Sequence, residues 1–296
     1  MKFGLILPNF GAIAGADAIR QSAVLAEELG FDSVWTTDHV LMPASMPEPY
    51  GNLVESLVAL TVAAAVTQCV QLGTSIIVTP QREPVLLAKQ LASIDDISGG
   101  RLILGAGVGW LEQEFSYLNA NYENRGARFD EGLALARALW GGDGSFRGQF
   151  SAIDDALFSP YPVKGSELPV WIGGNSSHAI RRAGALADGW HPVGLTASEL
   201  AAGSAMLRAQ ANGRSVTVSL RTNIELLAAG ERSKGYQAPG HALRGSAADI
   251  TSELRAYRQA GLEYAVLWLF HQSWDELERR IRQFSAEVMP NFQESQ

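Results

Sequence analysis

Arg101-LILGAGVGW-Leu111 and Pro169-VWIGGNSSHAI-Arg181 follow one pattern: an apolar strand-like run, then glycines, then a helix-like segment. Glycines placed at a strand end let backbone N–H groups come close to a ligand, which makes a phosphate seat one reading and tight chain packing the other. Gly105-Ala-Gly107-Val-Gly109 is only a weak dinucleotide fingerprint, because Trp110 stands where the third glycine belongs. Gly173-Gly174 is followed by Asn175 and Ser176, residue types that cap helix N-termini, where aligned N–H donors favour anions. A third run, Asp32-SVWTT-Asp38, ends in Asp38-His39.

Working outward, strand-like segments fall near 2–8, 32–38, 70–78, 101–106, 169–173, 188–193, 216–226 and 263–270, each followed by a helical pattern. Continuous apolar runs such as Leu5-ILP and Ala265-VLWLF suit parallel strands buried on both faces. Eight βα units predict an α/β fold, a closed (β/α)8 TIM barrel, as a single domain over 1–296. Pro84 suits the first turn of a helix over 84–98 that stops at Gly99, and Ser246/Asp249 and Ser273/Glu276 have capping-box spacing. Leu277, Ile281, Phe284 and Val288 mark the buried stripe of the last helix. Two insertions interrupt the rhythm: 142–168 after the fourth helix and 227–245 after the seventh strand. Each reads as an active-site cover or as a surface loop.

Composition narrows the function. A net charge of −8 argues against a nucleic-acid binder, and Cys69, the single cysteine, excludes an internal disulfide or a cysteine zinc site. The uncharged stretch from Ser56 to Gln81 is broken by Gln68, Gln71, Gly73 and Pro80, so it predicts a helix plus a buried strand and no membrane span. With no secretory signal, cytoplasmic location is the expectation. No HxH or HExxH pattern is present, so no metal is expected, and Lys2, Lys89, Lys164 and Lys234 all miss the strand ends where a Schiff-base lysine would sit.

Chemistry in barrels sits at the C-terminal strand ends, which makes His39 the candidate proton donor or acceptor and leaves Asp38 either to orient it or to restrain the loop. Trp35, Trp110, Trp171, Trp190 and Trp268 fall in or just after strands, for packing or as a flat apolar wall at the mouth.

Ala26-EELGFDSVWTTDH, Leu72-GTSIIVTPQREPVLLAKQLASIDDISGGRLILGAGVGW, Arg125-GARFDEGLALARALW and Pro169-VWIGGNSSHAIRRAGALADGWHP together resemble the bacterial luciferase-like superfamily, within it the flavin- or F420-dependent oxidoreductases, over residues 1–290. The resemblance implies a barrel that holds FMN or F420 at its C-terminal mouth. It also implies a non-prolyl cis peptide at Ser75-Ile76 against the ring. Phosphate contacts are implied around Gly107-Val108 and Gly173-Gly174, with Asn175 and Ser176 alongside. His39 matches the strand-two histidine close to the reacting ring in F420-dependent members, and Asp38 matches its acidic neighbour. Asn9 and Trp110 are placed by geometry at the substrate pocket. Trp110 departs from the carboxylate that F420-dependent sugar-phosphate dehydrogenases carry there, and their phosphate-holding lysines are missing, so a more apolar organic substrate is expected.

The expectation is hydride exchange between a (deaza)flavin and a small organic substrate, with F420 slightly preferred over FMN. An FMN-dependent monooxygenase using O₂ and a separate reductase is the alternative. A non-catalytic flavin-binding barrel and a cofactor-free hydrolase or isomerase stand behind it. A homodimer through helix faces is what relatives imply.

Overall fold

A computed structural model describes residues 1–46, 49–236 and 240–293. In chain order the strands are β1 (Lys2–Ile6), β2 (Ser33–Thr36), β3 (Gln71–Thr74), β4 (Ile77–Val78), β5 (Leu102–Gly107), β6 (Phe146–Arg147), β7 (Ala152–Ile153), β8 (Val170–Gly173), β9 (Gly189–His191), β10 (Thr217–Leu226), β11 (Ala242–Gly245) and β12 (Tyr264–Leu269). The α-helices are α1 (Ala16–Glu28), α2 (Ser56–Val66), α3 (Pro84–Ser98), α4 (Glu112–Tyr117), α5 (Arg125–Gly141), α6 (Ser177–Leu186), α7 (Ala197–Gln210), α8 (Ala247–Gln259) and α9 (Trp274–Gln283).

β1, β2, β3, β5, β8, β9, β10 and β12 pair in parallel in that order, and β12 closes on β1, giving the (β/α)8 barrel. β4 continues β3 past a break at Ser75-Ile76 and pairs with the upper half of β5. The alternation of each strand sorts its side chains. Leu102, Leu104 and Ala106 of β5 face the helices while Ile103 points into the barrel. On β12, Ala265, Leu267 and Leu269 face out while Tyr264, Val266 and Trp268 face in.

Local signals behave as their chemistry requires. α3 starts at Pro84 and ends at Gly99, whose φ of 69° is the left-handed cap an unbranched residue accepts. α8 carries the full Ser246/Asp249 capping box. At α9 only half of the expected box forms: Ser273 accepts the Glu276 N–H, but the Glu276 carboxylate turns to the Gln272 N–H and to Lys234. The last helix buries Leu277, Ile281, Phe284 and Val288. The uncharged stretch after Ser56 is α2 followed by β3, and among the described residues no helix is long and apolar enough to cross a membrane.

The two insertions differ. The first carries the β6–β7 hairpin, whose tip is tied to the outside of α5: Glu131 accepts the N–H groups of Gln149, Phe150 and Ser151, and Arg128 lies over the Phe150 ring. It closes an apolar cavity of 330 Å³ between α3 and α5 on the outer wall. The second returns through β11, which pairs with the upper half of β10, and it brings Tyr236 onto Trp268 and Phe270 at the mouth. Residues 237–239 of this insertion lie outside the described residues.

Candidate active site

β2 delivers Asp38-His39 to the mouth, and the two side chains take different partners. His39 Nδ1 lies 3.0 Å from Glu114 Oε2. Glu114 sits on the short helix α4 just after the glycines of β5, and only 1% of it is exposed. Its Oε1 accepts the N–H groups of Val40 (2.6 Å) and Leu41 (3.2 Å), and the Gln81 amide donates to Oε2 (3.2 Å). Burial favours the neutral acid, but the bonds from His39 and the Val40 N–H outweigh it and hold the carboxyl below its usual range. An ionised carboxylate only accepts, so Nδ1 carries the imidazole proton. Nε2 has no hydrogen-bond partner among the described residues.

Asp38 restrains the loop and does not orient His39. Its carboxylate takes both forks of Arg82 at 2.8 Å and the Val78 N–H at 2.9 Å, and Arg82 reaches on to Glu55 at 3.0 Å. Burial works against the Arg82 charge, but Asp38 and then Glu55 more than offset it, so the guanidinium holds its proton more firmly than usual. This pair ties β2 to β4.

Asn9 is also occupied: its amide donates to the Thr37 carbonyl (2.7 Å) and the Val54 carbonyl (3.0 Å), and its oxygen accepts the Thr37 N–H (3.0 Å). It clamps two mouth loops together, which replaces the pocket-lining place expected for it. Trp110 stands half in solvent with its edge toward the His39 ring, 6.1 Å between centroids.

The Ser75-Ile76 peptide is cis. Arg221, rooted on the far side of the barrel, donates to the Ser75 carbonyl at 2.9 Å. Ser75 Oγ meets His191 Nε2 at 2.8 Å, His191 Nδ1 meets Ser219 Oγ at 2.7 Å, and Ser219 donates to the Trp190 carbonyl at 2.8 Å. These bonds run one way only if His191 is neutral. Burial, with the Arg221 charge beside it, pushes the imidazole down to about 3.

That shift has a measurable sign. Between pH 6.5 and about 3 the unfolded chain binds a proton that folded His191 refuses, so folding stability falls as pH drops through this window. The slope for one proton is about 1.4 kcal/mol per pH unit. Urea unfolding at pH 6.5 and 5 should show this component in the wild type and its loss in His191→Gln. Parallel pH dependence in the two proteins would remove the assignment.

The glycines make room for the bulge. A Cβ on Gly105 would stand 1.8 Å from the Thr74 carbonyl oxygen, and Cβ atoms on Gly107 and Gly173 would strike the Ile76 side chain at 2.6 and 2.7 Å. Their bare backbones make room for Ile76, which is the packing reading of the strand-end glycines. Val108 turns outward onto the core behind the barrel. The other expected anion seat is the exposed start of α6. Gly174 has φ 121°, Asn175 clasps the Val193 backbone at 2.8 and 3.0 Å, and Ser176 caps the Ala179 N–H at 3.2 Å.

Above the floor made by Arg221 and His191, rings follow one another around the mouth: Trp110, His39, Tyr50, Phe10, Trp268, Tyr236 and Phe270, with neighbouring centroids 4.2 to 6.1 Å apart. Trp35 and Trp171 lie deeper and pack on each other at 5.1 Å, while Trp190 is buried beneath Gly203 of α7. Of the five tryptophans, Trp110 and Trp268 therefore belong to the mouth. A flat apolar wall, a histidine with one open nitrogen and a helix N-terminus at the rim fit a planar, phosphate-bearing cofactor.

Residues 1–231 match the model of the luciferase-like monooxygenase family. The chain belongs to that family, which is one of oxidoreductases. The F420-dependent glucose-6-phosphate dehydrogenase of Amycolatopsis mediterranei (strain U-32) is 32% identical over 181 residues, 60% of this chain and 53% of that one. The chain spans between 50% and 66% of the length of such curated relatives. Monooxygenase RslO1 from Streptomyces bottropensis shares the fold with a TM-score of 0.87 at 24% identity, over 99% of this chain and 100% of that one. So does the oxygenating constituent of 3,6-diketocamphane monooxygenase from the CAM plasmid of Pseudomonas putida, a type II Baeyer-Villiger monooxygenase in complex with FMN. Its TM-score is 0.80 at 18% identity over 99% of each chain.

Proposed function

We propose that this chain is an F420- or FMN-dependent oxidoreductase, with F420 preferred, acting on a small, largely apolar organic alcohol or carbonyl compound. The observation that carries the reading is the His39–Glu114 pair, which leaves Nε2 open toward a wall of aromatic rings. When bound, the (deaza)flavin ring supplies the hydride acceptor or donor. His39 Nε2 takes the hydroxyl proton of an alcohol, or returns it to a carbonyl oxygen, and Glu114 stabilises the imidazolium formed on the way. Arg221 and His191 brace the Ser75 carbonyl and hydroxyl from below, so the bulge presents a fixed surface to the ring. The start of α6 offers donors to a phosphate. Val40 and Leu41, which follow His39, and Trp110 beside it stand exposed, an apolar rim that suits an apolar substrate.

The competing reading is an FMN monooxygenase fed by a separate reductase. Ring absorbance followed anaerobically with F420 and a panel of ketones and secondary alcohols separates the two. The proposal expects substrate-dependent bleaching or recovery without oxygen uptake. Oxygen consumption that requires reduced FMN, with no exchange on F420, supports the monooxygenase instead.

A further inference from the structure

Three buried donors near the mouth point at nothing the protein supplies. Arg221 Nε, Asn223 Nδ2 and Trp268 Nε1 have no hydrogen-bond acceptor, and their residues are 8%, 3% and 5% exposed. They are neighbours by construction. Asn223 and Trp268 are register partners on the adjacent strands β10 and β12, and Arg221 lies one inward-facing step below Asn223 on β10. Phe10 ties the group together, with the Trp268 ring 5.1 Å away and the Arg221 guanidinium over its face at 5.6 Å. The guanidinium also lacks a counter-ion. Its NH1 reaches the neutral Ser75 carbonyl, and no carboxylate pairs with it among the described residues.

Leaving a buried N–H without an acceptor costs about 1–3 kcal/mol, and an uncompensated buried charge costs more. Glu225, two residues further up the same strand, shows how the chain treats such groups when it can: its buried carboxylate is matched by Ser233, the Lys234 N–H and Arg244. Three unpartnered donors, one of them on a cation, are complementary to an acceptor that carries negative charge.

We propose that Arg221, Asn223 and Trp268 form a subsite for an anionic oxygen of the ligand in the mouth. That oxygen is either a carboxylate on the organic substrate or the dione edge of the (deaza)flavin ring, which accepts hydrogen bonds and carries negative charge when the ring is reduced. The second source rests on the cofactor reading above; the first does not.

The test is isothermal titration of the full chain and of Trp268→Phe and Asn223→Leu, both checked for folding by circular dichroism. Benzoate is the anionic probe, benzamide its neutral match, and FMN and F420 are titrated separately. Trp268→Phe keeps the ring that packs on Phe10 and removes only the N–H. A substrate subsite binds benzoate at least about tenfold more tightly than benzamide, and each variant weakens benzoate by about tenfold. Benzoate then still binds protein loaded with FMN or F420. A ring subsite shows instead benzoate displaced by the cofactor, and cofactor affinity lowered about tenfold in both variants. If benzoate has no advantage over benzamide and the variants alter neither benzoate nor cofactor binding, the subsite is overturned. If FMN and F420 both fail to bind the wild type while benzoate binding depends on these residues, the cofactor reading fails and the anion subsite stands.

Discussion

His39→Ala lowers turnover by about 10²–10⁴, the range that positioned proton transfer contributes, and changes the affinity for the cofactor by less than about threefold. The split follows from the geometry. His39 is held from behind through Nδ1, while the contacts proposed for the cofactor are the bulge at Ser75-Ile76 and the start of α6. Glu114→Gln tests the same pair from behind. A neutral amide can present its NH₂ group to Nδ1, which favours the tautomer with the proton on Nε2 and removes the charge that supports an imidazolium. Turnover should fall, with cofactor affinity again unchanged. Wild-type turnover in His39→Ala under saturating cofactor and substrate would remove the histidine from the chemistry.

Arg82→Met destabilises the fold by about 3–5 kcal/mol, the scale on which a buried carboxylate loses its partner. Asp38 has no exposed side-chain surface, and with Arg82 gone its only remaining bond among the described residues is the Val78 N–H. The methionine fills much of the volume, so the loss reports on charge more than on packing. Asp38→Asn combined with Arg82→Met should recover part of the stability, because no uncompensated charge is then buried. Urea unfolding of the single and double variants measures both numbers. A single variant within about 1 kcal/mol of the wild type, the range of an exposed pair, would show that Asp38 does not depend on Arg82.

The barrel was legible because it is written locally. The continuous apolar runs of β1 and β12, the proline and glycine bracketing α3 and the capping box of α8 are all set by residues a few positions apart. The site was legible only where one strand carries it, as at Asp38-His39. Its working pairs join distant segments: His39 to Glu114 across 75 positions, Asp38 to Arg82 across 44 and Arg221 to Ser75 across 146. Glu114 left one trace, a carboxylate beside Phe115 on the buried side of the short helix after the β5 glycines. A search for an acid at position 110 passes over it. His191 left none, since its neutrality comes from burial and from the Arg221 charge, both products of closure. The glycines of β5 and β8 carry the opposite lesson. The pattern marks a close approach, but the approaching atoms are the Thr74 carbonyl and Ile76, within the chain itself.

The account stands or falls on whether the mouth holds a (deaza)flavin. Equilibrium titration of the purified chain with F420 and with FMN, read by ring absorbance and fluorescence, measures this directly. The account predicts saturable binding near one ring per chain, with F420 the tighter. Binding of FMN alone would move the chemistry toward oxygen, and the absence of binding by either would contradict the central claim.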